Sequence, residues 1–591
     1  MASLSPALNI GSYAVDLVAA LGPTHVFTLT GGMAMHLNRA VAQHPTLKAI
    51  YCQHEQACVA AAEGYAKASN FRRIGFAVVT AGPGVSNAVT SLISAYGDST
   101  PMVVLAGQIK SADIDCYGTR THGIQEIRSR EVISPCVKRF VRLDAYNFKQ
   151  QLAEACVDAL SGRPGPVFVE IPLDVQGLPI ETSQQEIDVA AALIHETVRV
   201  ANLGTSKGAE IEEALASLLN AHRPLLYVGN GVRISGQETS VKAFAERHQI
   251  PMVFSWLSFD IVSGDHPLYF GCPGGLAPIY SNQILSLADT IVFLGARLDL
   301  GTTAFQRDIF GGQASRWIVD VDPAELSKFA GMPNTHLVLS NLCDLPFAFA
   351  SVQNEKSHPE ANWIERASDL RQAYLSEEKT RLNTDKFNVY SVASLLSSVS
   401  AEKVFVLSSS GYAEETFTRF FVPSCATRVF NGAALGAMGM GLPNAIGAAF
   451  GSNCPVMCIE ADGGLMLNIQ ELATLTQYAP PGFVLYILNN DGYESIRSSQ
   501  SRLFGSVYGA DFDSGLFIPD FRELAQAYNL NYVLIDNLDS LRDFESQKSS
   551  SAPPVVVDLR VEKSEYRGPS VKTVIDAQGL PSTTPLMEIS W

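Results

Sequence analysis

Apolar runs of strand length alternate with segments of helix length along almost the whole chain. In RRIGFAVVTAGPGVSNAVTSLISAYGDSTPMVVLAGQ (72–108), a strand, a glycine–proline loop, a helix and a second strand follow one another. HRPLLYVGNG and ADTIVFLGARLD end in glycine turns, and a third such region spans 456–490. This alternation is typical of α/β domains with parallel sheets. Because 591 residues are too many for one core, we predict an α/β fold of three doubly wound parallel-sheet domains.

Changes in composition mark the predicted boundaries. We expect an N-terminal domain at 1–182, a polar linker at 183–203 and a central domain at 204–352. A second polar linker at 353–388 contains the charged run EEKTR, which we interpret as a solvated helix face. The third domain covers 389–563, and we expect the turn-rich tail at 564–591 to lie over a neighbouring domain or subunit.

The overall charge and the cysteine pattern exclude several classes of protein. A formal charge of -17, from 42 basic and 59 acidic residues, argues against binding to nucleic acid or to an anionic membrane. The N-terminal residues carry no signal-peptide or anchor pattern. Ten cysteines without a CxxC pair indicate neither a zinc site nor a disulfide framework, so we predict a cytoplasmic protein.

The stretch EADGGLMLNIQELATLTQYAPPGFVLYILNN (460–490) places Asp462 and Asn490 at the ends of two predicted strands. Ligands bind at the carboxyl ends of parallel strands, and a carboxylate, a carboxamide oxygen and a backbone carbonyl form the all-oxygen site that Mg²⁺ prefers. Gly463 and Gly464 allow backbone N–H groups to approach phosphates. Taken singly, Asp462 could be a helix cap and Asn490 a turn residue; the pair within this motif favours a metal site.

This stretch resembles the diphosphate-anchoring motif of thiamine-diphosphate enzymes, with Ala461 in place of the first glycine. The resemblance implies that Asp462, Asn490 and the Gly492 carbonyl hold Mg²⁺, and that the metal holds the diphosphate. It also implies the fold of that family, in which pyrimidine, central and diphosphate domains follow one another.

Further residues receive their roles from the same resemblance. Glu55, in YCQHEQACVAAAEGYAKASN, would bind the aminopyrimidine ring, because a carboxyl shielded from water can share a proton with it. Without the other motifs, a glutamate at this position would be interpreted as a helix cap. Met438 would support the bent cofactor, and Gly32, Met33 and Gln108 would lie on the substrate side. His122 is a candidate for proton transfer to the acceptor, although a lone histidine is more often structural. Backbone contacts to the diphosphate are expected from Gly411, Tyr412 and Ala413, provided that Glu414 and Glu415 turn away.

The central domain resembles a flavin-binding domain of the same family. Glycine turns can admit phosphates, an arginine can pair with one, and acidic side chains can bind ribose hydroxyls. The residues that would contact FAD, as a ligand without a redox role, are Gly229, Asn230, Gly231, Ser255, Trp256, Leu257, Gly295, Arg297, Asp320 and Asp322. The alternative is an empty or ADP-type site.

The resemblance extends over nearly the whole chain and is closest to the acetohydroxyacid synthase-like group. Within that group, the sequence most resembles flavin-containing carboligases that build branched sugars or tertiary alcohols. It implies a thiamine-diphosphate-dependent lyase or transferase that decarboxylates pyruvate or a similar 2-oxo acid donor. The acyl unit would be added to an aldehyde or ketone acceptor, a keto-sugar among them. Acetolactate synthase, simple 2-oxo acid decarboxylase and a non-catalytic homologue are the alternatives. The family also implies a homodimer or homotetramer with active sites between subunits.

Overall fold

The computed structural model describes residues 8–203, 208–353, 355, 357, 359–399, 402–424, 426–563, 568–571, 573–575, 581–586 and 589. Three fully parallel sheets follow one another along the chain, each within one predicted domain. The predicted α/β fold of three parallel-sheet domains is confirmed. Among the described residues, no helix is both long and apolar enough to cross a membrane.

The N-terminal domain has a six-stranded sheet of order β2-β1-β3-β4-β6-β5. Its strands are β1 (His25–Thr28), β2 (Lys48–Tyr51), β3 (Gly75–Val79), β4 (Met102–Gln108), β5 (Arg139–Arg142) and β6 (Pro166–Pro172). Its helices are α1 (Ile10–Ala20), α2 (Met35–Gln43), α3 (Glu55–Ala68), α4 (Pro83–Gly97), α5 (Ser129–Ile133), α6 (Phe148–Leu160) and α7 (Leu173–Gln176). The predicted first linker contains the helix α8 (Gln184–Asn202), which begins at a capping box of Ser183 and Glu186.

The central domain has a five-stranded sheet of order β11-β10-β9-β7-β8. Its strands are β7 (Pro224–Val228), β8 (Met252–Phe254), β9 (Thr290–Leu294), β10 (Ser315–Asp320) and β11 (Thr335–Leu339). Its helices are α9 (Ala209–Leu219), α10 (Gly231–Ile234), α11 (Glu238–His248), α12 (Ile279–Leu287), α13 (Pro323–Ser327) and α14 (Leu345–Ser351).

The second predicted linker contains the long helix α15 (Trp363–Arg381), and its charged run is only partly solvated. Glu378 of that run is fully buried, accepts a hydrogen bond from the Ile279 backbone at 3.1 Å and lies 3.4 Å from the Arg419 guanidinium. The expectation of a wholly solvated face is therefore wrong at this residue, because the helix packs between two domains and pairs its buried carboxylate there.

The C-terminal domain has a six-stranded sheet of order β13-β12-β14-β15-β17-β16. Its strands are β12 (Lys403–Leu407), β13 (Thr427–Phe430), β14 (Val456–Ala461), β15 (Val484–Asn489), β16 (Asn531–Ile535) and β17 (Val555–Arg560). Its helices are α16 (Val389–Ser398), α17 (Tyr412–Phe420), α18 (Gly441–Gly451), α19 (Asp462–Leu465), α20 (Leu472–Tyr478), α21 (Glu494–Phe504), α22 (Phe521–Ala527) and α23 (Leu538–Gln547).

The N-terminal and C-terminal sheets have the same strand order, and in each the direction in which successive strands are added reverses between the second and third strands in space. Open parallel sheets bind ligands at such reversal points, beyond the carboxyl ends of the strands. The reversal lies between β1 and β3 in one domain and between β12 and β14 in the other. These two edges carry Gly32 and Met33 in one domain, and Gly411 and Asp462 in the other.

Part of the predicted tail lies outside the described residues, and the described part contacts the central and C-terminal domains. It includes the short antiparallel strands β18 (Thr573–Ile575) and β19 (Pro581–Thr583). The Val571 backbone donates to the Gly275 carbonyl at 2.9 Å, and Gln306 donates to the Thr583 carbonyl at 2.8 Å.

Candidate active site and central cavity

Asp462 and Asn490 lie at the ends of two neighbouring strands, because β14 and β15 pair in parallel register up to Ala461 and Leu488. The buried Asp462 carboxylate accepts three backbone hydrogen bonds, from Gly463 at 2.6 Å, Gly492 at 2.9 Å and Asn490 at 3.1 Å. Gly492 has a φ of 130°, and a Cβ there would lie 2.2 Å from the Ala510 carbonyl oxygen. The turn after β15 is therefore fixed against the Asp462 side chain.

The electrostatic state of Asp462 suits a cation site. Burial raises the pKa of this carboxyl to about 6, while the three N–H groups act in the opposite direction. A desolvated carboxylate is stabilised by a bound cation. With the Asn490 carboxamide and the Gly492 carbonyl, the donors are all oxygen, and the set fits Mg²⁺.

The turn after β12 lies beside Asp462, because β12 and β14 are neighbours. Gly411 has a φ of 76° and precedes α17, whose first residues are Tyr412 and Ala413; only the backbone of Tyr412 is described. The Ser410 hydroxyl is buried without a hydrogen-bond partner among the described residues, as expected of a group that forms a hydrogen bond to a bound ligand.

Glu414 is turned away from this turn, as the predicted diphosphate contacts require. Its carboxylate is buried and accepts a hydrogen bond from the Asn431 amide at 2.6 Å. Burial raises the pKa of Glu414 well above its ordinary value. The Glu415 carboxylate accepts a hydrogen bond from the Ser495 hydroxyl at 3.4 Å.

The loop that carries Met438 packs on the turn after Asp462. The Gly439 carbonyl accepts a hydrogen bond from the Asn468 amide at 2.8 Å, and a Cβ on Gly439 would lie 3.0 Å from the Gly464 carbonyl oxygen. Met438 is half-buried, whereas Met440 is fully buried, with its sulfur 3.7 Å from the Gln56 amide nitrogen. Of these two methionines, Met438 is the one that remains accessible to a ligand.

Glu55 begins α3, directly after the turn that follows β2. Its side chain is buried, and its Oε2 accepts a hydrogen bond from the Asn87 amide at 3.0 Å. A Cβ on Gly84 would lie 3.7 Å from Glu55 Oε1 and 3.0 Å from Thr80, whose buried hydroxyl has no partner in the described part of the chain. Sequence reasoning missed Asn87, since an asparagine in a helix has no distinguishing pattern.

The residues predicted on the substrate side are placed differently from one another. Gly32 is exposed, with no atom within 4 Å of the position of a Cβ, and the Met33 carbonyl accepts a hydrogen bond from the buried Gln176 at 2.8 Å. His122 lies exposed in a loop, its ring 5.8 Å from that of Tyr117.

Gln108 is fully buried, and its amide is used within its own domain. Its nitrogen donates to Glu170 at 2.8 Å and to Ser129 at 3.1 Å, while its oxygen accepts from the Ile109 backbone at 2.9 Å. A substrate role for Gln108 stays a prediction. In the structure, these contacts join β4 to β6 and to the start of α5.

A cavity of about 470 Å³ lies at the carboxyl ends of the central strands and is bordered by all three domains. Its wall includes the predicted residues Asn230, Gly231, Ser255, Trp256, Leu257, Gly295, Arg297 and Asp320. Gly229 lies directly behind this wall, where a Cβ would be 2.1 Å from the Gly295 carbonyl oxygen. The Tyr227 hydroxyl in the wall is buried and has no partner among the described residues. The site fits a nucleotide-type ligand.

Charged groups surround this cavity in pairs. Arg297 donates to Asp98 at 3.2 Å and to Asp299 at 3.0 Å, so its charge is already balanced. Arg163 pairs with Asp322 at 2.9 Å. Asp322 caps α13 and lies outside the cavity wall, which differs from the ligand contact expected of it. Burial raises the pKa of Asp320 to about 6.

Comparison with known proteins gives one family for all three domains. Residues 8–132 match the description "Thiamine pyrophosphate enzyme, N-terminal TPP binding domain", 211–338 the central domain and 409–559 the C-terminal TPP binding domain of the same family. A probable acetolactate synthase large subunit of Methanococcus aeolicus is 26% identical over 571 residues, covering 93% of this chain and 92% of that protein. Acetolactate synthase 1, chloroplastic, of Zea mays is 27% identical, covering 94% and 86%. The acetolactate synthase large subunit of Lactococcus lactis is 27% identical, covering 93% and 92%.

Proposed function

The chain belongs to the thiamine pyrophosphate enzymes, since the three domain matches cover more than half of it, and on that basis we propose that it is a decarboxylating carboligase. The donor is pyruvate or a similar 2-oxo acid, and the acyl unit that remains after loss of CO₂ is joined to a carbonyl acceptor. The observation that carries the proposal is the pair of buried acidic sites at the carboxyl ends of the two similar sheets, Glu55 in one and Asp462 with Asn490 in the other.

The chain's own residues bind the cofactor and handle its protons. Asp462, Asn490 and the Gly492 carbonyl would hold Mg²⁺. The turns after Gly411 and after Gly463 would present N–H groups to the diphosphate, while the Gly463 N–H itself binds Asp462. Glu55 would share a proton with the aminopyrimidine ring, oriented by the hydrogen bond from Asn87. When bound, thiamine diphosphate supplies the electron sink for decarboxylation and the nucleophile for bond formation.

The central cavity is proposed to bind FAD without a redox role. Support comes from its place at the ends of parallel strands, from its glycine turns and from the buried Tyr227 hydroxyl, which has no hydrogen-bond partner in the part of the chain that the structure describes. An ADP-type ligand is the alternative. A purified protein that is yellow, with the flavin spectrum released on denaturation, is the expected observation.

There are two candidate classes of acceptor. The relatives named as acetolactate synthases favour a second 2-oxo acid as acceptor. The sequence resemblance to carboligases that build tertiary alcohols favours a ketone or aldehyde, such as a keto-sugar. From its sequence, we interpret the segment after Ile496 as an acceptor-facing lid, and it exposes Phe504, Phe512 and Phe517. Closed over a bound acceptor, these apolar side chains would exclude water from the reaction.

The active site is proposed to form between two subunits of a homodimer, or of a homotetramer built from such dimers, in the cytoplasm. Exposed apolar side chains near the loop that carries Met438, at Leu435 and Leu467, suit cover by a second copy of the chain. Glu55 of one subunit would then serve the metal site of the other.

The acceptor is identified by incubating the enzyme with pyruvate, Mg²⁺ and thiamine diphosphate, alone and with a panel of ketones and aldehydes. Acetolactate from pyruvate alone supports the synthase reading, and a tertiary alcohol formed only with a ketone supports the carboligase reading. Acetaldehyde as the sole product under every condition would refute carboligation.

A further inference from the structure

We propose that Asp98 couples the central cavity to the thiamine site, so that a ligand in the cavity strengthens the binding of thiamine diphosphate. The coupling acts through the loop 431–439, called here the junction loop. This inference rests on the proposed function, because it takes the cavity ligand to be FAD and the second ligand to be thiamine diphosphate with Mg²⁺.

Asp98, at the C-terminal end of α4, joins three domains with one buried carboxylate. Its Oδ1 accepts hydrogen bonds from Arg297 of the central domain at 3.2 Å and from the Ala434 backbone of the C-terminal domain at 3.0 Å. Its Oδ2 accepts from Lys67 of its own domain at 2.7 Å. Asp98 and Arg297 both line the cavity, so a bound ligand lies against this junction.

The junction loop runs from the cavity to the metal site. Ala433 is part of the cavity wall, and the next backbone N–H is the one bound by Asp98. At its other end, Gly439 packs on Gly464 and accepts the hydrogen bond from Asn468. Met438 lies between these two anchors. A ligand that makes the loop more rigid at the cavity should therefore also make Met438 and Gly439 more rigid, beside the predicted diphosphate and ring contacts.

A second branch of contacts reaches the turn after β12. Lys67, which is fully buried, donates at 2.7 Å both to Asp98 and to the Asn431 carbonyl. The Asn431 amide in turn holds Glu414, which follows Gly411 to Ala413. Buried charges that share partners depend on one another, since removing one charge changes the pairing of the rest. Lys67 has a further partner in the buried Glu63, at 2.7 Å.

Linkage makes the coupling reciprocal, and coupling between two sites is typically about 5-fold to 150-fold in affinity. We expect saturating FAD to lower the dissociation constant of thiamine diphosphate, in the presence of Mg²⁺, by at least about five-fold in the wild-type protein. Thiamine diphosphate should tighten FAD by the same factor. Both constants are measured by titration calorimetry on protein freed of both ligands.

Two matched variants separate the coupling from the cavity itself. Asp98 and Asp299 both pair with Arg297, but of the two only Asp98 also accepts a hydrogen bond from the junction loop. Alanine is used at both positions, because asparagine would keep an oxygen that can accept these hydrogen bonds. In Asp98→Ala, we expect the dissociation constant of thiamine diphosphate to be the same with and without FAD. In Asp299→Ala, FAD binds more weakly, but the ratio of the two constants is retained. Loss of the ratio in Asp299→Ala alone would overturn the role of Asp98.

Hydrogen–deuterium exchange on the wild-type protein keeps the inference testable if Asp98→Ala does not fold. Added FAD should slow exchange in 431–439, and unchanged exchange would overturn the coupling. The proposed function can fail separately. A protein that binds no FAD contradicts the cofactor assignment and the coupling together, whereas independent binding of both ligands contradicts the coupling alone.

Discussion

At the residue scale, the chain holds two buried acids at the ends of its two similar sheets in different ways. The Glu55 carboxylate has one amide donor, Asn87, whereas Asp462 accepts three backbone N–H groups. A carboxyl that accepts few hydrogen bonds from the protein can exchange a proton with a ligand. A carboxylate surrounded by N–H groups and other oxygens is suited to a cation.

Replacing Glu55 by Gln keeps the shape of the side chain but removes the group that can share a proton. We expect turnover to fall by about 10²-fold to 10⁴-fold, while the dissociation constant of thiamine diphosphate with Mg²⁺ changes little. Steady-state kinetics and calorimetry measure the two effects. The exposed Glu131→Gln on α5 is the matched control and should retain full activity. Undiminished turnover in Glu55→Gln would remove Glu55 from the mechanism.

The pKa of Asp462 predicts how cofactor binding depends on pH. In the cofactor-free protein, burial raises this pKa from 3.8 to about 6, so the folded state binds a proton that the unfolded state has lost. This group's contribution to the free energy of unfolding therefore falls as the pH rises from 3.8 to about 6.

Mg²⁺ requires the ionised carboxylate, so the affinity for Mg²⁺ with thiamine diphosphate should fall about ten-fold per pH unit below this pKa. Calorimetry in buffers of different ionisation enthalpy should detect proton release on binding near pH 6. Asp462→Asn should abolish the Mg²⁺ dependence. Wild-type affinity that is constant between pH 5 and pH 8 would contradict the metal assignment.

At the element scale, the contact between α3 and α18 joins the N-terminal and C-terminal domains. A Cβ on Gly447 would lie 1.8 Å from the Ala61 carbonyl oxygen, and one on Gly64 would lie 2.0 Å from the Asn444 carbonyl oxygen. The two helices therefore touch backbone to backbone. Their N-terminal ends carry Glu55 and follow Met438, so the packing fixes the positions of these two residues relative to each other within one chain.

Adding one methyl group to this contact should separate the helices. We expect Gly447→Ala to lower the free energy of unfolding by about 1–3 kcal/mol, the usual cost of overpacking a core. Gly123→Ala is the control, because a Cβ there would meet its first neighbour, the Glu126 Cβ, only at 4.0 Å. Denaturant unfolding of both variants tests this, and equal stability would mean that the contact can relax.

At the scale of the whole molecule, subunit mixing tests where the site is assembled. Glu55→Gln and Asp462→Asn homodimers should each be inactive. If Glu55 of one subunit serves Asp462 of the other, then mixed dimers contain one intact site, and random mixing should restore about a quarter of wild-type activity. No recovery after verified subunit exchange would place both residues of each site in one chain.

Much of the fold could be predicted from the sequence, because strand ends and glycine turns leave local patterns. The neighbouring positions of Asp462 and Asn490 follow from parallel strands joined by a short helical crossover. Asp98, Lys67 and Asn431 could not be found this way, since their contacts bridge residues more than three hundred positions apart. The sequence also does not reveal that the Gln108 amide is used by Glu170 and Ser129, because both partners are remote in the chain.

In the proposed function, this chain uses thiamine diphosphate and Mg²⁺ to decarboxylate a 2-oxo acid and to join the remaining acyl unit to an acceptor through a new carbon–carbon bond. NMR of a reaction with uniformly ¹³C-labelled pyruvate, run with an unlabelled acceptor and with each cofactor omitted in turn, tests it most directly. We predict one molecule of labelled CO₂ for each molecule of coupled product, and no turnover without thiamine diphosphate or Mg²⁺. Pyruvate consumption that continues without thiamine diphosphate, or that yields no carbon–carbon bond with any acceptor, would contradict the account.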